Sequence, residues 1–170
     1  MDKKPTESKV FLVADYFIKK NEEDKKGLGA LKLQKLLYYA QAWNLVINDG
    51  KLFDQEFQAW VHGPAIPEVW QAFREFDFNV DHPEFLEKEF NQFSDKEKEV
   101  LDMVWHVYGK FDGKYLEMLT HQEEPWQKAR NELGTDTASQ NVISDESMKS
   151  YYEQRLEEAT RAGETNNSEN

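Results

Sequence analysis

Apolar residues recur along this chain at spacings of three and four over several stretches, and alternate with polar ones over a single stretch. In SKVFLVADYFIKK, Val10, Val13, Ala14, Phe17 and Ile18 fall on one face of a helix whose other face is expected to be solvated. After the polar run NEEDKKGLG, the segment LKLQKLLYYAQAWNLVINDG places Leu33, Leu36, Leu37, Ala40, Trp43 or Asn44, and Ile47 on a similar stripe, which ends at Asn48, Asp49 and Gly50. That stripe is wide enough for the middle of a bundle. Tyr38 and Tyr39 point roughly 100° apart on such a helix, so at least one of them is expected to reach the rim with its hydroxyl.

Between Gly50 and Pro64 the period changes. Phe53, Phe57, Ala59 and Val61 alternate with Asp54, Gln58 and His62, with Trp60 interrupting, which predicts a small extended or β-hairpin element around residues 52–62. Pro67 is placed to open the helix PEVWQAFREF, whose apolar face is Val69, Trp70, Phe73 and Phe76. A polar stretch, DFNVDHPEF, follows, with Pro83 opening a short turn of helix. Ser94 and Glu97 form a capping box before a helix buried through Leu101, Val104, Trp105 and Tyr108 and stopped near Gly109. KYLEMLTHQ predicts a further helix to His121, EEPWQKARNEL starts another at Pro125, and Gly134 to Asn141 reads as the loosest internal loop. Ile143 and Ser144 read as staple and cap for a last helix, roughly Asp145 to Ala162.

No internal repeat and no long linker divides the chain. The fold class expected is mainly α: a single-domain helical bundle over residues 9–162, with a flexible N-terminus (1–8) and a disordered tail (163–170). At 170 residues, with 39% hydrophobic and 14% aromatic content, the chain can build a real core. It lacks cysteine, which removes disulfides and thiolate chemistry. No stretch is long and apolar enough for a membrane span, and MDKKPTESK lacks the apolar centre of a secretion signal, so a cytoplasmic location is expected. A formal charge of -12 repels phosphate backbones, so direct nucleic-acid binding is not expected, and the same field favours a basic protein partner.

His62, His82, His106 and His121 are the candidates for acid/base work, but none sits in a metal-protease, esterase or phosphate-loop motif. His106 reads as a core-margin side chain and His82 as solvated. His62, in WVHGPAIP, and His121, in THQEEPW, each precede a rigid or aromatic element. One reading is local: each imidazole holds a turn by bonding a carbonyl or carboxylate, with Trp126 as a core plug. The other has Trp60, His62, Trp70, His121 and Trp126 converging into one aromatic pocket with Glu123, Glu124 and Arg130 as its polar rim.

LKLQKLLYYAQAWNL, LFDQEFQAWVHGPAIPEVW and LTHQEEPWQKAR together resemble the three signature blocks of the Panacea domain, also called SocA-like or GepA-like, in collinear order from about Lys9 to Ala159. The pattern covers Lys35, Leu36, Leu37, Tyr38, Tyr39, Gln41, Ala42 and Trp43, then Phe53, Phe57, Ala59, Trp60, Gly63, Pro64, Pro67 and Val69. In the last block it covers Thr120, His121, Glu123, Pro125, Trp126, Ala129 and Arg130. Ala65 and Trp70 stand where the family usually has valine and tyrosine. The resemblance implies a mainly helical, non-enzymatic antitoxin of a type II toxin–antitoxin pair, carried in some members by phages and mobile elements, which neutralises a cognate protein toxin encoded beside it. At least one branch delivers its toxin to a protease, so an adaptor is the alternative; a hydrolase or transferase using His62 and His121 is a third reading. The residues assigned to partner binding or to the motif, from the resemblance and the residues' own reading together, are Tyr38, Tyr39, Trp43, Trp60, His62, Gly63, Pro64, Trp70, His121, Glu123, Trp126 and Arg130. No cofactor or metal is implied, and a homodimer is left open.

Overall fold

The computed structural model describes residues 8–168; residues 1–7 and 169–170, which belong to the termini read above as flexible and disordered, lie outside the described residues. α1 (Lys9–Asp24) and α2 (Ala30–Ile47) form where the three-and-four spacing predicts them. α1 ends as Lys25 turns left-handed at φ 54° and returns its N–H to the Asn21 carbonyl. α2 is buried on every side, from Lys32 to Ala42 without interruption, and not along one stripe only. Ile47 departs from the expectation: it is half exposed, because the last turn of α2 runs past the core that buries Asn44 and Leu45.

The extended element is β1 (Phe57–Trp60) paired antiparallel with β2 (Gly63–Ala65), in the register Gln58↔Ala65, Ala59↔Pro64 and Trp60↔Gly63. It starts later than expected and runs past residue 62. Phe57 and Ala59 point inward and Gln58 and Trp60 outward, as alternation requires. Phe53 is buried but precedes the strand: the Gln41 amide holds that segment by donating to the Phe53 carbonyl (2.7 Å) and accepting from the Leu52 N–H (2.8 Å). A third strand, β3 (Val142–Ile143), pairs with the other edge of β1, giving the order β2-β1-β3. Its two residues are too short to show alternation in the sequence.

The remaining helices are α3 (Pro67–Phe73), α4 (Pro83–Leu86), α5 (Asp95–Tyr108), α6 (Gly113–His121), α7 (Glu124–Arg130) and α8 (Asp145–Ser168). The Ser94/Glu97 capping box is present in full, and Ser144 accepts the Ser147 N–H at the start of α8. α1, α5, α6 and α8 surround α2, and β2 packs against it too. The fold is therefore mainly α with one small sheet, as expected.

Three further expectations give way. The outer face of α1 is not solvated: Phe11 and Tyr16 are buried, and the Tyr16 ring meets Phe90 and Phe93 edge-on at 5.1 and 5.9 Å. The stretch read as polar is a second aromatic cluster, with Phe76 against Phe78 at 4.7 Å and stacked on the His82 ring at 4.5 Å, so His82 is not simply solvated. In a coil the rings share no period, which hides them from pattern reading. Finally, α8 continues beyond Ala162 and through Gly163 to Ser168.

Candidate partner-binding site

The hairpin reverses over Val61 and His62, and Gly63 leaves the turn at φ 101°, a conformation that costs a residue with a side chain. Space closes the same position, since a Cβ on Gly63 would lie 2.7 Å from Cε of Lys35 and 2.8 Å from Oγ1 of Thr120. Side chains from elsewhere hold several main-chain groups on either side of the turn. Lys35 Nζ donates to the Pro64 carbonyl (3.0 Å), and the Gln34 amide both donates to and accepts from Ile66 (3.1 and 2.9 Å). Arg130 Nη1 donates to the Ala59 carbonyl (2.9 Å) and Trp126 Nε1 to the Trp60 carbonyl (2.8 Å).

Arg130 is not a rim residue. It is 2% exposed, stacks its guanidinium on the Trp126 ring at 4.9 Å, and its other terminal nitrogen donates to the Gly134 (2.7 Å) and Thr137 carbonyls. The loop read as loosest is thereby fastened to the sheet. Among the described residues this buried guanidinium has no carboxylate partner, and three carbonyl dipoles and an aromatic face share its charge. His121 stacks on the same Trp126 ring at 4.1 Å, and its buried Nε2 has no hydrogen-bond partner among the described residues. Burial lowers its pKa, against an opposing pull from Glu117 and from its bond to Val61.

Glu117, on α6, draws the two candidate histidines towards one carboxylate. It lies 2.6 Å from Nδ1 of the exposed His62, and its charge acts on His121. Burial pushes the Glu117 carboxyl up, but His62, Lys114 and His121 outweigh that and hold it below the usual range. Beneath them Lys35 is 1% exposed, and burial pushes its ammonium down to about 7. The sequence reading missed Glu117 and gave Lys35 only as a motif residue. The available signals were Glu117 one helical turn before His121, and polar residues inside a helix otherwise apolar all round, which buried positions tolerate only with partners.

The expected convergence of rings is divided between surface and interior. Trp60 and Trp70 meet edge-to-face at 6.5 Å and, with Lys35 and Gly63, bound a slot of about 80 Å³. Trp60, Val61 and His62 also form one wall of an open depression of about 650 Å³ whose other wall is Ala138, Ser139 and Gln140. His121 and Trp126 lie behind this surface, and His121 does not line the cavities that His62 lines. Gly63 and Pro64 are buried.

Tyr38, Tyr39, Trp43 and Glu123 form a separate group. Both tyrosines are fully buried, contrary to expectation, because partners inside the core satisfy their hydroxyls: Tyr39 donates to Glu123 Oε1 (2.5 Å) and Tyr38 accepts from Tyr152 (3.2 Å). Tyr39 also stacks on Tyr108 at 4.0 Å, and Trp43 Nε1 donates to the Tyr108 hydroxyl (2.9 Å). Glu123 is half buried, and burial pushes its carboxyl up to about 7. His106 is exposed on α5. Among the described residues no group of three or more His, Asp or Glu side chains is placed to hold a metal ion, and no helix is long and apolar enough to cross a membrane.

No curated protein and no solved structure matches this chain. Residues 33–127, more than half of the 170, match the family model described as "Antitoxin SocA-like, Panacea domain". That span runs from the first buried turns of α2, through the clamped hairpin, to the Trp126 plug, and the chain belongs to this family of SocA-like antitoxin domains.

Proposed function

We propose that this protein is the antitoxin of a type II pair and neutralises a cognate protein toxin, encoded beside it, by direct contact in the cytoplasm. The observation that carries the reading is the division of the motif residues. Tyr38, Tyr39, Gly63, Pro64, Trp126 and Arg130 are interior, whereas Trp60, Trp70 and His62 stand at a surface held rigid from behind. Rigid indole edges lose little conformational freedom on association and anchor interfaces well. The net charge of -12 favours encounter with a basic partner surface.

The test is co-expression. The product of the neighbouring reading frame is expected to arrest growth alone, to be tolerated with this protein, and to co-purify with it. Replacing Trp70 and His62 together by alanine is expected to abolish protection while the melting transition persists. An intact protective effect in that double variant would move the contact surface elsewhere, and a harmless neighbour would remove the reading altogether.

A further inference from the structure

Glu56 and Gln58 share the outward side of the β1 segment with Trp60, because Phe57 and Ala59 between them are buried. At one end of this line Trp60 meets Trp70 over the slot of about 80 Å³, whose walls include Leu31 and Ala65. The Trp60 indole is fixed there, its Nε1 donating to Gln58 Oε1 at 2.8 Å. Sites for small molecules begin near about 300 Å³, so the slot suits a single side chain from a larger partner. Lys35 also lines it, but its ammonium donates to the Pro64 carbonyl (3.0 Å) and lies in the field of Glu117. Its charge is already answered, and what the slot offers an occupant is indole and aliphatic surface.

The other end of the line is acidic. Asp54, Glu56 and Glu68 line one depression of about 450 Å³ with Ile66 and Pro67. It adjoins the slot: Ala65 lines one and Ile66 the other, and Gln34, in the wall of the slot, bonds Ile66 both ways. All three carboxylates are exposed, and none has a hydrogen-bond or ion-pair partner among the described residues. Lys51, the basic residue nearest to Asp54 in the chain, pairs with Asp145 at 3.2 Å instead. The first turn of the short α3 carries Glu68, but a helix pole supplies at most about half an elementary charge against three. The excess is complementary to a cation brought by something else.

We propose that this strip docks a basic segment of the partner protein, which seats one aliphatic side chain in the Trp60–Trp70 slot and sets an arginine or lysine, about 13 Å along, against Asp54, Glu56 and Glu68. That the partner is the toxin rests on the reading above. The apolar anchor supplies residence and the carboxylates supply encounter rate and register. The sign of the acidic end excludes a phosphate backbone as the occupant.

The experiment titrates the purified full chain, followed by heteronuclear NMR, with two capped peptides, acetyl-Leu-Gly-Ser-Gly-Arg-amide and the same peptide ending in glutamate. The arginine peptide keeps the spacing from Trp60 to Glu56, and is expected to shift the indole N–H signals of Trp60 and Trp70 and the amides of Gln55 and Glu56 saturably, with the glutamate peptide silent. Asp54→Asn, Glu56→Gln and Glu68→Gln together are expected to weaken its binding about tenfold with melting retained, and Glu56→Lys with Glu68→Lys to transfer the preference to the glutamate peptide. Equal, non-saturating shifts with both peptides would overturn the proposal. So would saturation of the parent chain by the glutamate peptide, or an arginine-peptide affinity unchanged by neutralisation. The neighbouring gene product is then measured against the parent, the neutralised variant, and a control with the same charge change on α8, Glu153→Gln, Glu157→Gln and Glu164→Gln. A loss of about tenfold, with slower association, is expected in the neutralised variant alone; an equal loss in the control would reduce the effect to the general field and remove the proposal. Where that product does not bind the parent chain at all, the toxin reading falls, and the peptide titration still decides this surface.

Discussion

The middle of α2 and the far half of α8 use similar residue types to opposite ends. Along α2, Lys32, Gln34, Lys35, Gln41 and Asn44 are all buried, and each bonds the main chain of a non-helical segment: Gly27 and Gly109, Ile66, Pro64, Leu52 and Phe53, and Gly50. Along α8, every residue from Glu153 to Asn167 is exposed, and bonds such as Arg155 to Glu158 at 3.1 Å and Thr160 to the Leu156 carbonyl stay within one turn. A long polar side chain inside a core is stable only where backbone elsewhere lacks a partner, so polar residues in a buried helix mark the irregular segments it organises. The same side chains on a free helix add only tenths of a kcal/mol each.

The largest expected effect tests the clamped side of this contrast. Arg130→Ala removes the donors to Ala59, Gly134 and Thr137 together and leaves three carbonyls without that partner. A loss of about 3–5 kcal/mol in urea unfolding is expected, since bonds to a charged donor and the desolvation of abandoned acceptors both count. A loss below about 1 kcal/mol would mean that the hairpin and the 134–141 loop do not depend on the clamp.

Gly63→Ala comes next, at about 2–3 kcal/mol, from the strained φ and from contact with Lys35 and Thr120. Because the Lys35 side chain can shift, the readout is double: thermal melting falls, and the Lys35–Pro64 bond is disturbed. Melting equal to that of the parent would show that the turn relaxes freely and is not fixed by what lies behind it.

Glu123 sharpens the comparison through pH. Burial pushes its carboxyl from an ordinary 4.5 up to about 7, with Tyr39, Tyr152 and Arg155 pulling part of the way back. Between those values the folded chain holds this proton more tightly than the unfolded chain. Its contribution is therefore full below about pH 4.5 and declines as the pH rises to about 7, above which the folded state keeps a half-buried carboxylate. Glu123→Gln removes this dependence. The variant is expected to match the parent near pH 4.5 and to exceed it by about 1–2 kcal/mol at pH 8, after discounting for partial exposure. Urea midpoints at the two pH values decide it, and parallel profiles for the two proteins would refute the assignment.

What the sequence shows of this fold follows the same divide. Period and capping place α1, α2, α5 and the start of α8, because apolar spacing and Ser94 or Ser144 act locally. Alternation finds β1 but not its bounds, since the hairpin is defined by side chains of α2 and α7 that no local window contains. The resemblance names Arg130 and Tyr39 without saying that both are interior. Their burial depends on the Ala59 carbonyl and on Glu123, 71 and 84 residues away in the chain. Glu117 escapes because an acidic residue on a short amphipathic helix looks like solvated surface until His62 arrives from the hairpin. The sequence sets the end of α8 near Ala162, whereas the helix runs on to Ser168, with Gly163 to Asn167 exposed.

The smallest effect belongs to that free half. Ending the chain after Glu158 removes a stretch whose residues up to Asn167 are exposed, and with it the Arg161–Glu157 pair at 4.0 Å. Tyr152 and Met148, which anchor α8 on α2, remain, as does the Arg155 bond to Tyr151 at 2.9 Å. Stability should therefore stay within about 0.5 kcal/mol of the parent while the far-UV helical signal falls with the residues removed. A larger loss of stability would show that the distal turns support the core after all, and the contrast between a helix that organises its neighbours and one that stands alone would fail at its weaker end.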